Sequence, residues 1–319
     1  MGGISQMQEF VDLILVSGRT GIELSLYIVM PVMVIMMALM KVLDEKGVLI
    51  RVARCSAPFL LIFGLPGLGI FAILQMLFVS FAAPVSTLKL MEKRAEISDA
   101  HIGATLAAIL VMAQANAAFP LAVVGLNIPI GIASSFIAGL AASLIAYKLI
   151  GDKSSVAAPE NNPSDDRERN SVKTSIISLL FKGGEEGMEI AIKSIPPLIL
   201  AVFLVNILRM TSIINYLEVI FSPLLNQIGI PSSAVLPIIT KFIAGGTAMV
   251  AVVIDSINAG TMSAVELNRV AGFTLNPLDP VGLAVLMAAG PRVVRVARPA
   301  IIAAVLGIIF RGIIHLIIF

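Results

Sequence analysis

The sequence predicts an all-α integral membrane protein made of two inverted repeats. Three observations carry that prediction: an apolar excess, a duplicated order of motifs, and basic residues gathered in one set of loops. Of the 319 residues, 58% are hydrophobic and 13% charged, and the mean hydropathy is +1.00. The charged share is about half that of a soluble domain. So few charges cannot cover a water-facing surface, so the excess has to face lipid, and several runs are long enough to cross it as helices. The first segment holds Glu9 and Asp12 and lacks a basic start, so it does not read as a cleavable signal peptide, and the first spanning helix is expected to drive insertion.

The duplication is read from motifs in a fixed order. Gly18, Gly21, Glu23 and Pro31 recur as Gly184, Gly187, Glu189 and Pro197. Gly64-Leu65-Pro66 recurs as Gly229-Ile230-Pro231, Ser98 as Ser263, and Asn116 with Pro120 as Asn276 with Pro280. The offset shrinks along the chain, as small deletions in the second copy would make it do. Residues 1–150 therefore form a first repeat and 173–319 a second. The polar stretch 151–172 between them reads as a solvated cytoplasmic linker.

Each repeat has the same parts in the same order. A short amphipathic segment (7–16; 173–181) is too short to span and is expected in the interface. A spanning helix with a mid-helix proline follows (22–43; 188–209). A second amphipathic stretch (48–63; 213–228) leads to a long apolar segment (67–91; 232–258), interrupted at 80–84 in one repeat and 244–247 in the other. Then comes a helix carrying Asn-x-x-x-Pro, and a closing helix (128–150; 300–319). Glu23 and Glu189 read as acids at helix N-termini, where they oppose the dipole. Cys55 reads as a buried small residue, and His101 as a boundary residue at the start of a helix.

Charge placement sets the topology. If the long third segment crossed once, the loop of Lys41, Lys46, Arg51 and Arg54 would lie opposite that of Lys89, Lys93 and Arg94, against the tendency for basic loops to stay inside. A re-entrant hairpin puts both inside. Each repeat then has three crossings, the second repeat is inverted, and the linker and a turn holding Arg292, Arg295 and Arg298 also fall inside. Lys241 and Arg311 are assigned to the outer face, with Lys241 snorkelling to it.

Inverted repeats with broken helices place a solute site where unsatisfied backbone meets a cavity. The hairpin tips supply Ser80 and Ala83 in one repeat and Gly245, Gly246 and Thr247 in the other, although small residues also make close helix contacts. Gln114, Asn116, Asn276 and Asp279 sit beside prolines in apolar surroundings, where a freed carbonyl and an amide or carboxylate can hold a polar solute or a cation. The amides can equally repair the broken helix. Asp279, with Asn116 and Asn276, is the expected ion-coupling group, and Na+ or H+ the coupling ion. No other cofactor is expected. One cysteine and two distant histidines leave no expected metal site. The chain holds no Walker loop, G-x-S-x-G or H-E-x-x-H motif, so it does not read as an enzyme. Its dispersed basic residues do not suggest nucleic-acid binding.

From Gly18 through Gly64-Leu65-Pro66 to the broken segment, and again from Gly184 to Asp255, the chain resembles the Gate or nucleoside-recognition domain. That domain occurs in concentrative nucleoside transporters, in the membrane part of bacterial ferrous iron transporters and in the spore-maturation protein pair. The resemblance implies a transport-type fold with hairpins in a bacterial-type cytoplasmic (inner) membrane. The function expected is secondary transport of a small polar organic solute, nucleoside-like ones included, driven by an ion gradient through an elevator-like movement. A passive channel, or a non-transporting assembly protein of the spore-maturation type, is the alternative. The expected partners are the lipid bilayer, the solute and a second copy in a homodimer.

Overall fold

A computed structural model describes residues 2–151, 175–211, 213–227 and 229–319. The linker expected at 151–172 lies, apart from Gly151, outside the described residues. All regular structure among the described residues is helical. Among the described residues, five helical spans are long and apolar enough to cross a membrane: Met7–Glu45, Asp99–Ala122, Ile128–Ile150, Ile176–Leu208 and Pro291–Ile318.

The first repeat opens with α1 (Gly2–Glu23), a π-helical turn (Leu24–Val29) and α2 (Met30–Glu45), which run on as one helix. Pro31 lacks an N–H, and its ring crowds the carbonyl four residues back; the wider π turn just before it relieves that clash. Next come α3 (Val48–Leu60), α4 (Gly67–Phe78), α5 (Pro84–Lys93), α6 (Asp99–Val111), α7 (Ala115–Ala122) and α8 (Ile128–Ile150). The second repeat follows the same order with α9 (Ile176–Met210), α10 (Ile213–Gln227), α11 (Val235–Ala244), α12 (Gly246–Asn258), α13 (Ala264–Thr274), α14 (Pro280–Met287) and α15 (Pro291–Ile318). At the Gly64-Leu65-Pro66 and Gly229-Ile230-Pro231 corners the chain turns by 108° and 118°.

Four expectations are corrected. Residues 7–16 and 176–181 are not separate interfacial helices but the first turns of the long helices. Gly21, Gly183 and Gly187 make close helix contacts. A Cβ on Gly21 would lie 2.7 Å from Ile199, on Gly183 2.6 Å from the Met37 carbonyl, and on Gly187 2.5 Å from that of Met33. Glu23 and Glu189 therefore sit within helices, exposed and paired one turn away with Arg19 (2.8 Å) and Lys193 (2.5 Å). Cys55 is exposed rather than buried. The closing helix α15 begins at Pro291, so Arg292, Arg295 and Arg298 lie on its first turns rather than in a loop. His101 is buried, with Nδ1 2.7 Å from the Ser98 hydroxyl that caps α6.

The helices fall into two bodies. Helices α1, α2 and α9 pack lengthwise. They are joined by the Ser25 hydroxyl donating to the Ala191 carbonyl (2.6 Å), by Asn206 donating to Ser17 (3.0 Å), and by the Lys41–Glu186 pair (2.7 Å). The second body gathers α6, α8, α13 and α15 around the hairpins α4–α5 and α11–α12.

Two latches fix the direction of the broken spans. The Arg292 N–H donates to Glu92 (2.8 Å), and its guanidinium donates to Asp99 (2.8 Å) and to the carbonyls of Glu92 (2.9 Å) and Ile97 (2.6 Å). The start of α6 thus lies beside the end of α14. Gly290 has φ +152°, and a Cβ there would strike the Glu92 carboxylate, so this corner has to be glycine. At the other end the Asn127 N–H donates to Asn268 Oδ1 (2.8 Å), and Asn268 Nδ2 donates to the Gly125 carbonyl (2.8 Å). The end of α7 thus lies beside the start of α13. Spans α6–α7 and α13–α14 therefore run antiparallel, and the two hairpins enter from opposite faces, the arrangement of inverted repeats.

Candidate functional site

The broken helix expected around each Asn-x-x-x-Pro is present in both repeats as two helices. In the first repeat, α6 ends at Val111 and α7 starts at Ala115; in the second, α13 ends at Thr274 and α14 starts at Pro280. Each break leaves carbonyls at one helix end and N–H groups at the next without intrahelical partners.

One cation collects the carbonyls. Arg311, expected at the outer face, is fully buried in α15. Its guanidinium donates to the Val111 (3.2 Å) and Leu275 (2.5 Å) carbonyls, one at each break, and to the Gly131 carbonyl (3.3 Å). No acid partners it among the described residues. The carbonyl ends of two half-helices, each carrying about half a negative charge, take that role. One turn on, His315 Nδ1 lies 2.6 Å from the Asn268 carbonyl and Nε2 2.8 Å from the Ser134 hydroxyl. A carbonyl can only accept, so Nδ1 carries a proton.

The N–H ends face the other way, into a cavity of about 110 Å³. Gln114 and Asn116 line it from the start of α7, Asp279, Val281 and Gly282 from the start of α14, and Ala244 to Thr247 from the tip of α11–α12. Phe81, from the other hairpin tip, and Pro197, from α9, close it. Gly245 has φ +88° and ψ 175°, a conformation open in practice only to glycine, and it lies against Asp279 and Val281. Gly246 lies against the Gln114 amide.

Lys241, expected to snorkel outward, is fully buried and ion-paired with Asp279 Oδ2. A carboxylate within reach in the same low-dielectric interior holds it there. The other Asp279 oxygen accepts from the Gly282 N–H (2.8 Å) and caps α14. Gln114 Nε2 donates to the Asn276 carbonyl, joining the two breaks directly. The Asn276 amide repairs its own break, donating to the Phe273 carbonyl (2.8 Å) and accepting from the Leu278 N–H (3.1 Å). Asn116 is buried at the cavity, and its Oδ1 has no partner.

Of the residues singled out from sequence, Gln114, Asn116, Gly245, Gly246, Thr247 and Asp279 therefore meet at one cavity. Ser80, Ala83 and Asn276 do not line it; the Ser80 hydroxyl accepts from the Ala83 N–H (3.2 Å) within its own turn. The sequence reading missed Phe81, Pro197, Val281 and Gly282. The recurrence of Pro31 as Pro197 was a signal for one of them. Apolar residues like Phe81 and Val281 gave none.

No family model matches the chain, and no curated protein sequence matches it. Solved structures do. A variant of CNTnw, a concentrative nucleoside transporter, in an outward-facing state superposes with a TM-score of 0.70 at 17% identity, over 99% of this chain and 85% of that one. A second outward-facing variant gives 0.67 at 19% identity, over 99% and 84%. One in an intermediate state gives 0.70 at 17%, over 99% and 86%. At such identities the likeness is one of fold, and it extends over nearly the whole chain: this is a multi-pass, all-α membrane protein with the fold of these transporter structures.

Proposed function

We propose that the protein is a secondary transporter of a small polar organic solute in a bacterial-type cytoplasmic membrane, with the cavity between the hairpin tips and helix breaks as its site. The observation that carries this reading is the convergence itself. Both tips and both breaks meet at one cavity, and the N-termini of α7, α12 and α14 open onto it with N–H groups that lipid would not tolerate but a polar solute would. Pro197 comes from the α1–α2–α9 body and the rest of the lining from the hairpin tips and the helix breaks, so the cavity lies where these meet. Movement of one body past the other would carry the cavity from face to face, an elevator-like cycle.

The Lys241–Asp279 pair joins the second hairpin to the second break, so opening that tip means separating or neutralising the pair. Asp279 is the coupling group in this reading. Both of its oxygens are engaged, so the driving ion arrives as a proton or displaces Lys241. The basic residues of the Lys41, Lys93 and Arg292 ends share one face, which we assign to the cytoplasm.

The test combines topology with flux. In a Cys55→Ser background, single cysteines at Ala95 and Asn258 are exposed to an impermeant thiol reagent on intact cells. Ala95 is preferred to Glu92, which holds the α15 latch. Labelling of Asn258→Cys alone is expected, and equal labelling from outside would remove the inverted arrangement. In liposomes, gradient-driven accumulation and counterflow of a solute are expected. Flux that only equilibrates would make the protein a channel.

A further inference from the structure

The walls of the cavity narrow the class of solute. Its size comes first. An engineered cavity of about 150 Å³ holds benzene, a molecule of six non-hydrogen atoms. The cavity between the tips is about 110 Å³, so it best matches a solute of about that size. A nucleoside, a base carried on a sugar, is far larger.

Its electrostatics come second. Three helix N-termini meet here, those of α7, α12 and α14. Each brings a partial positive charge and N–H groups without intrahelical acceptors. Asp279 offsets one of them, but Lys241 already neutralises Asp279. At the α12 terminus Gly245 and Gly246 lack side chains, and although the Gly245 N–H is bonded to the Lys241 carbonyl (3.0 Å), an oxygen can come close to the N–H groups that follow it. The balance favours a negatively charged group there.

The third observation is the orphaned acceptor. Asn116 is 7% exposed, lines the cavity, and its Oδ1 has no hydrogen-bond partner. A buried amide oxygen left unpaired is costly; it is closed to water as the side chain stands, and a turn of the amide toward the cavity would let a solute O–H or N–H satisfy it. Thr247 and Gln114 add polar groups to the lining, while Phe81, Pro197, Ala244 and Val281 are apolar and suit a short carbon chain.

We propose, building on the transport reading above, that the cavity takes a short hydroxy- or amino-carboxylate of about six non-hydrogen atoms or fewer. Its carboxylate sits on the N-terminus of α12 and its hydroxyl or amino group donates to Asn116.

The test uses the purified full chain in detergent and follows thermal unfolding with glycolate, L-lactate, glycine, L-alanine, lactamide and uridine as probes. At least one of the four acids is expected to raise Tm in a saturable manner, while lactamide and uridine do not. Asn116→Leu should weaken the effective acid by about tenfold or more, and Cys55→Ser should leave it unchanged. Lactamide acting as well as lactate would overturn the anionic end. An undiminished response in Asn116→Leu would overturn the donor end. Stabilisation by uridine alone would overturn the size class and leave the transport reading intact. If none of the probes stabilises the protein, the solute class falls, and counterflow with other solutes then decides whether transport falls with it.

Discussion

Two fully buried cations lie close to the helix breaks, and they are held in different ways. Arg311 is held by backbone carbonyls at 3.2, 2.5 and 3.3 Å. Lys241 is held by one side chain, Asp279, at the edge of the cavity. Backbone acceptors cannot rotate away or take up a proton, so the first arrangement fixes geometry. A carboxylate can do both, so the second can switch. The residue types match these roles: a planar guanidinium spans several carbonyls at once, whereas an ammonium is a compact charge on a flexible stem. The protein thus separates a rigid staple on the carbonyl side of its two breaks from a releasable contact on the N–H side.

The largest effect is expected at the staple. Arg311→Met leaves the buried Val111 and Leu275 carbonyls unpaired, at about 1–3 kcal/mol each, while the Gly131 carbonyl still accepts from the Ser134 hydroxyl (3.2 Å), and a total loss of about 3–5 kcal/mol is expected in chemical or thermal unfolding of the purified protein. Arg311→Lys should recover only part of it, because one ammonium does not reach acceptors at both breaks. An Arg311→Met protein as stable as wild type would show that the guanidinium merely fills space.

The pair should behave differently, and a double-mutant cycle sharpens the contrast. Asp279→Asn keeps a residue able to cap α14 but strands the ammonium, at about 3–5 kcal/mol. Lys241→Met strands the carboxylate by a similar mechanism. The double change removes both charges and is expected to regain most of the stability, since a buried ion pair replaced by neutral groups is often no less stable. Arg311 has no such rescue, because its close partners are backbone carbonyls, which no substitution removes. In flux assays the double variant should remain defective if Asp279 couples transport. A stable double variant with full gradient-driven uptake would take that role from it.

The sequence showed this contrast only in part. The fold was legible because membrane helices announce themselves by length and hydropathy, and because the motifs recur in order. Asn116 and Asp279 stood out as polar residues in apolar surroundings, and Gly245-Gly246 as a break. Arg311 was assigned to the outer face, because its partners are carbonyls of residues that are otherwise apolar, Val111 and Leu275, and no side-chain pattern marks a carbonyl. The placement of Lys241 failed for a related reason: Asp279 lies 38 residues away, and only the fold brings the two together. Asn276 was misleading because a polar residue that repairs a break looks, in sequence, like one that binds a solute.

The smallest effect probes the one side chain at the staple. The Ser134 hydroxyl lies 3.4 Å from Arg311 Nε and 2.8 Å from His315 Nε2. The first contact is long, and the guanidinium keeps its three carbonyls without it, so Ser134→Ala should cost about 1 kcal/mol, mostly through His315. Combining it with His315→Phe should then be less than additive, while combining it with Arg311→Met should be nearly additive. The reverse pattern would mean that Arg311 depends on a side-chain partner after all. The staple would then be releasable, as the Lys241 contact is, and the two cations would no longer differ in kind.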